Sequence, residues 1–208
     1  MAIRSKWLPA IVLCLAAGAG ATLLWRHQSQ PNPNLTTGAF IEPRSRLPDF
    51  SLIDDHGRPF TGANLLGHWS MLYFGYTNCP DVCPATLSTL AAMEKKLRAA
   101  ASPVRPQVLF VTADPARDTP AQLARYVPYF DPEFVGVTAA DQPTIEAFAG
   151  RLGIEVDIVH APDGTTIVEH SSAILVVDPQ GRLTAVLTGP FTADALQADF
   201  RLIAGARS

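Results

Sequence analysis

The apolar residues of this 208-residue chain change period several times along its length. Phe50-Ser51-Leu52-Ile53 leads through Asp54-Asp55-His56-Gly57 into Arg58-Pro59-Phe60, which predicts a short strand, a turn and a second short strand. Trp69 to Tyr76 is a dense apolar and aromatic run of strand length. Both of its faces read as buried, as in a central strand. From Cys83 to about Ala100 the period becomes helical, with Leu87, Leu90 and Leu97 in step and Ala, Glu and Lys between them. Val108 to Thr112 is a second buried strand. Asp118-Thr119-Pro120 joins a capping residue to a first-turn proline and opens a helix to about Phe130. Phe134 to Thr138 is a short strand, and a helix near Gln142 to Leu152 ends at Gly153. Ile167 to Val177 and Arg182 to Thr188 flank Asp178-Pro179-Gln180-Gly181, which predicts a hairpin. Thr192 to Ala204 is a closing helix.

The order β-β-β-α-β-α-β-α-β-β-α predicts an α/β sandwich around a mixed central sheet. The thioredoxin-like fold satisfies that order, and residues 47–208 are expected to form it. Two other segments precede this domain. Arg4 and Lys6 are followed by an uncharged run from Trp7 to Trp25, closed by Arg26. As a helix this run spans about 28 Å, close to the hydrocarbon thickness of a bilayer. Trp7 and Trp25 stand at its ends, where indole rings favour the membrane interface. Residues 1–26 are therefore expected to be a cytoplasmic tip and a transmembrane helix, with the rest of the chain outside. Ala19-Gly20-Ala21 resembles a cleavage site and keeps a removed signal peptide as the rival. The apolar run continues past it through Leu23 and Leu24, which favours a retained anchor. Residues 27–46 open with a polar stretch holding Pro31 and Pro33 and read as a flexible tether.

Composition suits a packed core, with 48% hydrophobic and 17% charged residues. The charge is unevenly distributed. No acidic residue precedes Glu42, and beyond Arg26 there remain 13 basic against 19 acidic side chains. A domain this acidic is repelled by phosphate backbones, which argues against nucleic acid as a partner.

Of the three cysteines, Cys14 lies in the apolar run, where it reads as a buried apolar residue. Cys79-Pro80-Asp81-Val82-Cys83 sits where a buried strand hands over to a helix. A four-residue spacing on a helix puts two side chains about one turn apart on one face, so both sulfurs can converge. The helix N-terminus favours thiolate over thiol. Two converging thiolates are soft ligands that suit Cu(I), with Zn(II) open as well, and the same geometry permits a reversible disulfide. Five histidines are candidates for a further ligand. His27 lies in the tether, His56 in a turn and His68 just before a strand, so these read as solvent-facing. His160 ends a strand ahead of Pro162-Asp163-Gly164. His170 opens the stretch leading into Ala173-Ile174-Leu175-Val176-Val177, where either a ligand or a structural histidine fits.

Three segments resemble the Sco family, also called SenC. They are Tyr73-Phe74-Gly75-Tyr76-Thr77-Asn78-Cys79-Pro80-Asp81-Val82-Cys83-Pro84, then Val111-Thr112-Ala113-Asp114-Pro115-Ala116-Arg117-Asp118-Thr119-Pro120, then Glu169-His170-Ser171-Ser172 running into Val177-Asp178-Pro179-Gln180-Gly181. The resemblance covers nearly the whole chain from about Leu47. It implies a thioredoxin-like copper protein of cytochrome c oxidase assembly, with one copper, as Cu(I) or Cu(II), on Cys79, Cys83 and His170. It further implies delivery to the CuA site of oxidase subunit II, with an upstream copper donor or thiol reductant as a further partner. The expected location is the bacterial inner membrane, with the domain in the periplasm. Glu169 and Ala113 depart mildly from the family pattern. Asp81 and Asp114 fall inside matched segments and read as a helix cap and a turn former, or as residues that tune the copper.

Three rival chemistries attach to the same cysteines. A thiol–disulfide reductase would keep the CuA-site cysteines of the partner reduced, although CxxC is the usual redox spacing. A peroxidase would need an arginine at the site, and Arg117 reads better as part of the Asp114 segment. A purely structural disulfide would close too short a loop to stabilise the fold much.

Overall fold

The structure is a computed structural model that describes residues 33–160, 166–170 and 172–205, with 157–160 and 166–170 described as backbone. The expected membrane anchor lies outside the described residues. Among those described, no helix is long and apolar enough to cross a membrane.

The sheet is built outward from its most apolar strand. β4 (Trp69–Gly75) is buried at all seven positions. β5 (Pro106–Thr112) runs parallel to β4, and β6 (Val135–Thr138) runs parallel to β5. Parallel neighbours require crossovers. α1 (Val82–Ala99) lies in the first and α2 (Pro120–Tyr126) in the second. On the other side of β4, β9 (Ile174–Val177) and β10 (Arg182–Leu187) are added antiparallel. Their turn is held by the Asp178 carboxylate, which accepts from the N–H groups of Gln180 and Arg182. β1 (Gly38–Arg46), β2 (Ser51–Asp54) and β3 (Pro59–Thr61) complete an eight-stranded mixed sheet of order β1-β10-β9-β4-β5-β6-β2-β3.

Alternate side chains of β4 meet different layers. Trp69 meets Phe200 of α4 (Ala193–Gly205) edge-on at 6.1 Å, and Phe74 lies 5.9 Å from Phe148 of α3 (Gln142–Arg151). α1 and α4 therefore cover one face and α3 the other, which is the thioredoxin-like arrangement. α1 turns Cys83, Leu87, Leu90, Met93 and Leu97 inward. That stripe follows the helical period legible in the sequence.

Two expectations are corrected. Residues 38–46, read as the end of a tether, form the edge strand β1 paired with β10. Long-range contacts that leave no local pattern hold this segment. A Cβ on Gly38 would lie 2.0 Å from the Val186 carbonyl oxygen, so only glycine permits the approach. Just before it, the buried Asp199 carboxylate of α4 accepts from the N–H of Thr37 at 2.7 Å, its hydroxyl at 2.6 Å and the N–H of Thr36 at 2.8 Å. The second correction concerns 167–177, expected as one strand. Its first part is β8 (Thr166–His170), which among the described residues pairs with β7 (Val156–His160) in a separate two-stranded sheet. Its second part is β9. One strand cannot serve both sheets, so the chain leaves strand geometry around Ser172 and Ala173.

Far from the cysteine junction, Glu94 of α1 is 3% exposed. It faces a cavity of about 190 Å³ also lined by His68, Arg105 and Glu133. Arg105 Nη1 reaches its Oε2 at 3.4 Å, while Oε1 has no hydrogen-bond partner. Burial pushes the Glu94 carboxyl up to about 7 against the pull of Arg105 and Arg98. The raised value means that the folded state holds the proton more tightly than the unfolded chain. The resulting stability is fully present below the ordinary value of 4.5 and is lost as pH rises through about 7. Glu94→Gln is expected to remove this loss, worth about 3 kcal/mol at most. Urea midpoints at pH 5 and pH 8 test it: the variant should flatten the decline, and an unchanged slope would refute the assignment.

Candidate metal centre

β4 ends at Gly75 and α1 begins at Val82, leaving Tyr76 to Asp81 as the junction. Glycine is required at the strand end. A Cβ on Gly75 would come within 2.7 Å of the Phe110 ring and 3.0 Å of the Cys83 sulfur. The missing side chain lets Cys83 pack onto the strand. Cys83 is 0% exposed and Cys79 is 8% exposed, and both are free thiols.

The two sulfurs are brought together, but not as two positions on one helix face. Cys79 precedes the helix, and its Sγ accepts the Cys83 N–H at 3.4 Å. Asp81 occupies the N-cap position, yet its side chain makes no capping bond. Cys79 thus supplies the acceptor that a cap normally provides. Burial alone would raise its pKa. The backbone N–H groups of Asp81, Cys83 and Val82 outweigh burial and bring it below the ordinary thiol value. For Cys83 the balance is reversed: burial, with the neighbouring Cys79, pushes that thiol up to about 12. The expectation of thiolate character therefore holds for Cys79 and fails for Cys83.

A polar scaffold stands behind the pair. Tyr73 lies against the Cys83 sulfur and the Thr86 side chain, and burial raises its hydroxyl well above the usual range. Asp114 is 3% exposed and forms a turn, its carbonyl accepting from the N–H groups of Arg117 and Asp118. The Arg117 guanidinium donates to the Asp114 carboxylate, so it belongs to that turn as expected. Asp118 is 1% exposed and accepts from the Thr77 N–H at 2.9 Å, the Thr77 hydroxyl at 2.6 Å and the Thr112 hydroxyl at 2.7 Å. Tyr73, Thr77, Thr112 and Asp118 were not singled out from sequence as site residues. Their positions inside the two matched segments were the available signal.

Among the histidines, His56 and His68 are exposed, as expected. His27 lies outside the described residues. The backbones of His160 and His170 end β7 and β8, with His170 opposite Val156, and their side chains lie outside what is described. Ser172, two residues beyond His170, lines a groove with Val82, Thr86, Pro190 and Phe191, so the chain there runs beside the first turn of α1. Among the described residues, no group of three His, Cys, Asp or Glu side chains converges to hold a metal.

Fold and junction together define a class: a thioredoxin-like domain with a free, electrostatically asymmetric CxxxC pair at a strand-to-helix junction. The SCO1/SenC family model matches residues 41–204, and the chain belongs to that family. It is 38% identical over 182 residues to "Protein SCO2 homolog, mitochondrial" of Bos taurus, covering 88% of this chain and 68% of the relative. It is 33% identical over 176 residues to an SCO2-like protein of Rickettsia conorii, covering 83% and 84%. Among solved structures, Arabidopsis thaliana ScoI with copper bound superposes with TM-score 0.73 at 31% identity, over 78% of this chain and 100% of that one. Bradyrhizobium japonicum ScoI with copper bound gives 0.66 at 29% identity, over 76% and 98%.

The asymmetry of the pair has a direct chemical consequence. At pH 7, iodoacetamide is expected to label Cys79 at least about tenfold faster than Cys83, because only the thiolate attacks and Cys83 stays protonated and buried. Mass mapping of the reduced, folded chain measures both rates. Equal rates would show that the N–H groups at the start of α1 do not act on Cys79.

Proposed function

We propose that the chain is a copper metallochaperone of cytochrome c oxidase assembly, which takes up one copper ion on Cys79, Cys83 and His170 and passes it to the CuA site of oxidase subunit II. The observation that carries this reading is the free Cys79–Cys83 pair, with one sulfur already disposed to the thiolate form that a metal ligand must adopt. Two soft sulfur donors suit copper, and two relatives by fold and sequence were solved with copper bound. The run of Ser172 beside α1 supports His170 as the third donor. A site with so few ligands suits transfer, because an incoming thiolate or imidazole can add before an old ligand leaves. Cys79, the more exposed of the two, is the natural point of exchange. In this reading residues 1–26 anchor the protein in the bacterial inner membrane, with the domain in the periplasm facing subunit II.

The test loads the full chain, reduced in detergent, with copper. One equivalent per chain is expected, lost in Cys79→Ser and in Cys83→Ser. His170→Ala should weaken binding by at least about tenfold and alter the copper spectrum. Absence of copper binding in the wild type would sink the reading. The asymmetry of the thiols also favours a second one, a thiol–disulfide reductase that keeps the CuA-site cysteines reduced. That role does not need His170. A His170→Ala chain that binds copper unchanged and supports oxidase assembly fully would favour it.

A further inference from the structure

We propose that Asp118 is the positioning residue of the cysteine pair: by clamping Thr77 to the end of β5, it fixes the backbone from which Cys79 faces Cys83. The inference builds on the reading of these cysteines as copper ligands. The loop from Tyr76 to Asp81 leaves a strand that is buried along its whole length and has no regular structure until Val82. The backbone of Cys79 is tied back locally through its N–H, which donates to the Tyr76 carbonyl at 3.2 Å. The other tether comes from 41 positions along the chain. One Asp118 oxygen accepts the Thr77 hydroxyl, while the other takes both the Thr77 N–H and the Thr112 hydroxyl. Thr112 is the register partner of Gly75, so this clamp bridges the ends of the two central strands.

The clamp is over-determined for a mere loop tie. The carboxylate is buried, and the turn behind it is itself held by Asp114, whose carbonyl accepts the Asp118 N–H at 2.9 Å. A buried carboxylate with three short acceptor bonds has one orientation, and loosening it leaves a costly unpaired group. Only Asn78 separates Thr77 from Cys79, too little chain to absorb a displacement without moving the sulfur. Both a disulfide and a shared metal require a narrow range of sulfur positions.

The variants are Asp118→Ala, Asp118→Asn and Thr77→Val in the full chain. Asp118→Asn retains an acceptor, and Thr77→Val removes a single bond while keeping the N–H. Asp199→Asn is the control, because Asp199 makes the same kind of clamp on Thr36 and Thr37 away from the cysteines. The first readout is the equilibrium with dithiothreitol. The two protein thiols give up their hydrogens to oxidised dithiothreitol and form the Cys79–Cys83 disulfide, while the reagent becomes its dithiol. The second is the absorption spectrum of the chain loaded with copper, recorded well below each melting transition. Asp118→Ala is expected to shift the thiol–disulfide equilibrium constant about tenfold, equivalent to about 30 mV for two electrons, and to change the copper spectrum. Thr77→Val should follow in part, Asp118→Asn should restore most of the wild-type values, and Asp199→Asn should lower the melting temperature alone. The proposal is overturned if folded Thr77→Val and Asp118→Asn stay within twofold of wild type with unchanged spectra while Asp118→Ala does likewise, or if Asp199→Asn shifts both readouts equally. Should Asp118→Ala not fold, Thr77→Val decides by whether it moves both readouts. A wild type that binds no copper would remove the metallochaperone reading, and the dithiothreitol equilibrium would still decide the role of Asp118.

Discussion

Everything at the cysteine junction depends on β4 being buried on both faces. A strand with no solvent face must be covered by helices above and below and must have its backbone paired on both sides. β5 and β9 supply the pairing, and α1, α4 and α3 the cover. Its C-terminal end then has one course, over the sheet edge and into α1 within the few residues from Tyr76 to Asp81. That short passage puts the free N–H groups of a helix start against whatever side chain lies just ahead of it. Here it is Cys79, whose sulfur takes the place of a capping oxygen.

The same passage separates two chemically identical residues. Cys79 is held at the helix start and gains hydrogen bonds to its charged form. Cys83 is one turn further in, packed on Gly75 and beside Tyr73, where burial opposes charge. A pair with one thiol shifted toward the thiolate and one guarded thiol can bind a soft metal in steps or exchange a disulfide, and in both cases Cys79 leads.

Buried carboxylates hold segments together, two of them across long sequence separations and a third within one turn. Asp199 ties the approach of β1 to α4, Asp118 ties the cysteine loop to β5, and Asp178 closes the β9–β10 turn. Each accepts several hydrogen bonds, from backbone N–H groups together with hydroxyl donors at Asp118 and Asp199 and the Arg182 guanidinium at Asp178. A buried acceptor of this kind is costly unless satisfied, so it favours one arrangement of the segments it joins.

Much of this could be read along the chain. The apolar run Trp69–Tyr76, the helical stripe of Leu87, Leu90 and Leu97, the Asp178–Gly181 turn and the spacing of Cys79 and Cys83 are local patterns, and local patterns survive in one dimension. So did the mixed α/β sandwich, because strand and helix periods differ. What only the tertiary structure decided was non-local. Gly38 to Arg46 is a strand because β10 lies beside it, not because its own residues alternate. The stretch from Ile167 to Val177 divides because β4 claims one half and β7 the other. Cys79 and Cys83 differ because burial and hydrogen bonding act on the folded surroundings, which residue types alone do not specify. Sequence determined which segments could pair, bury and carry soft ligands; packing decided which partners they met and hence which sulfur is shifted toward its charged form and which away from it.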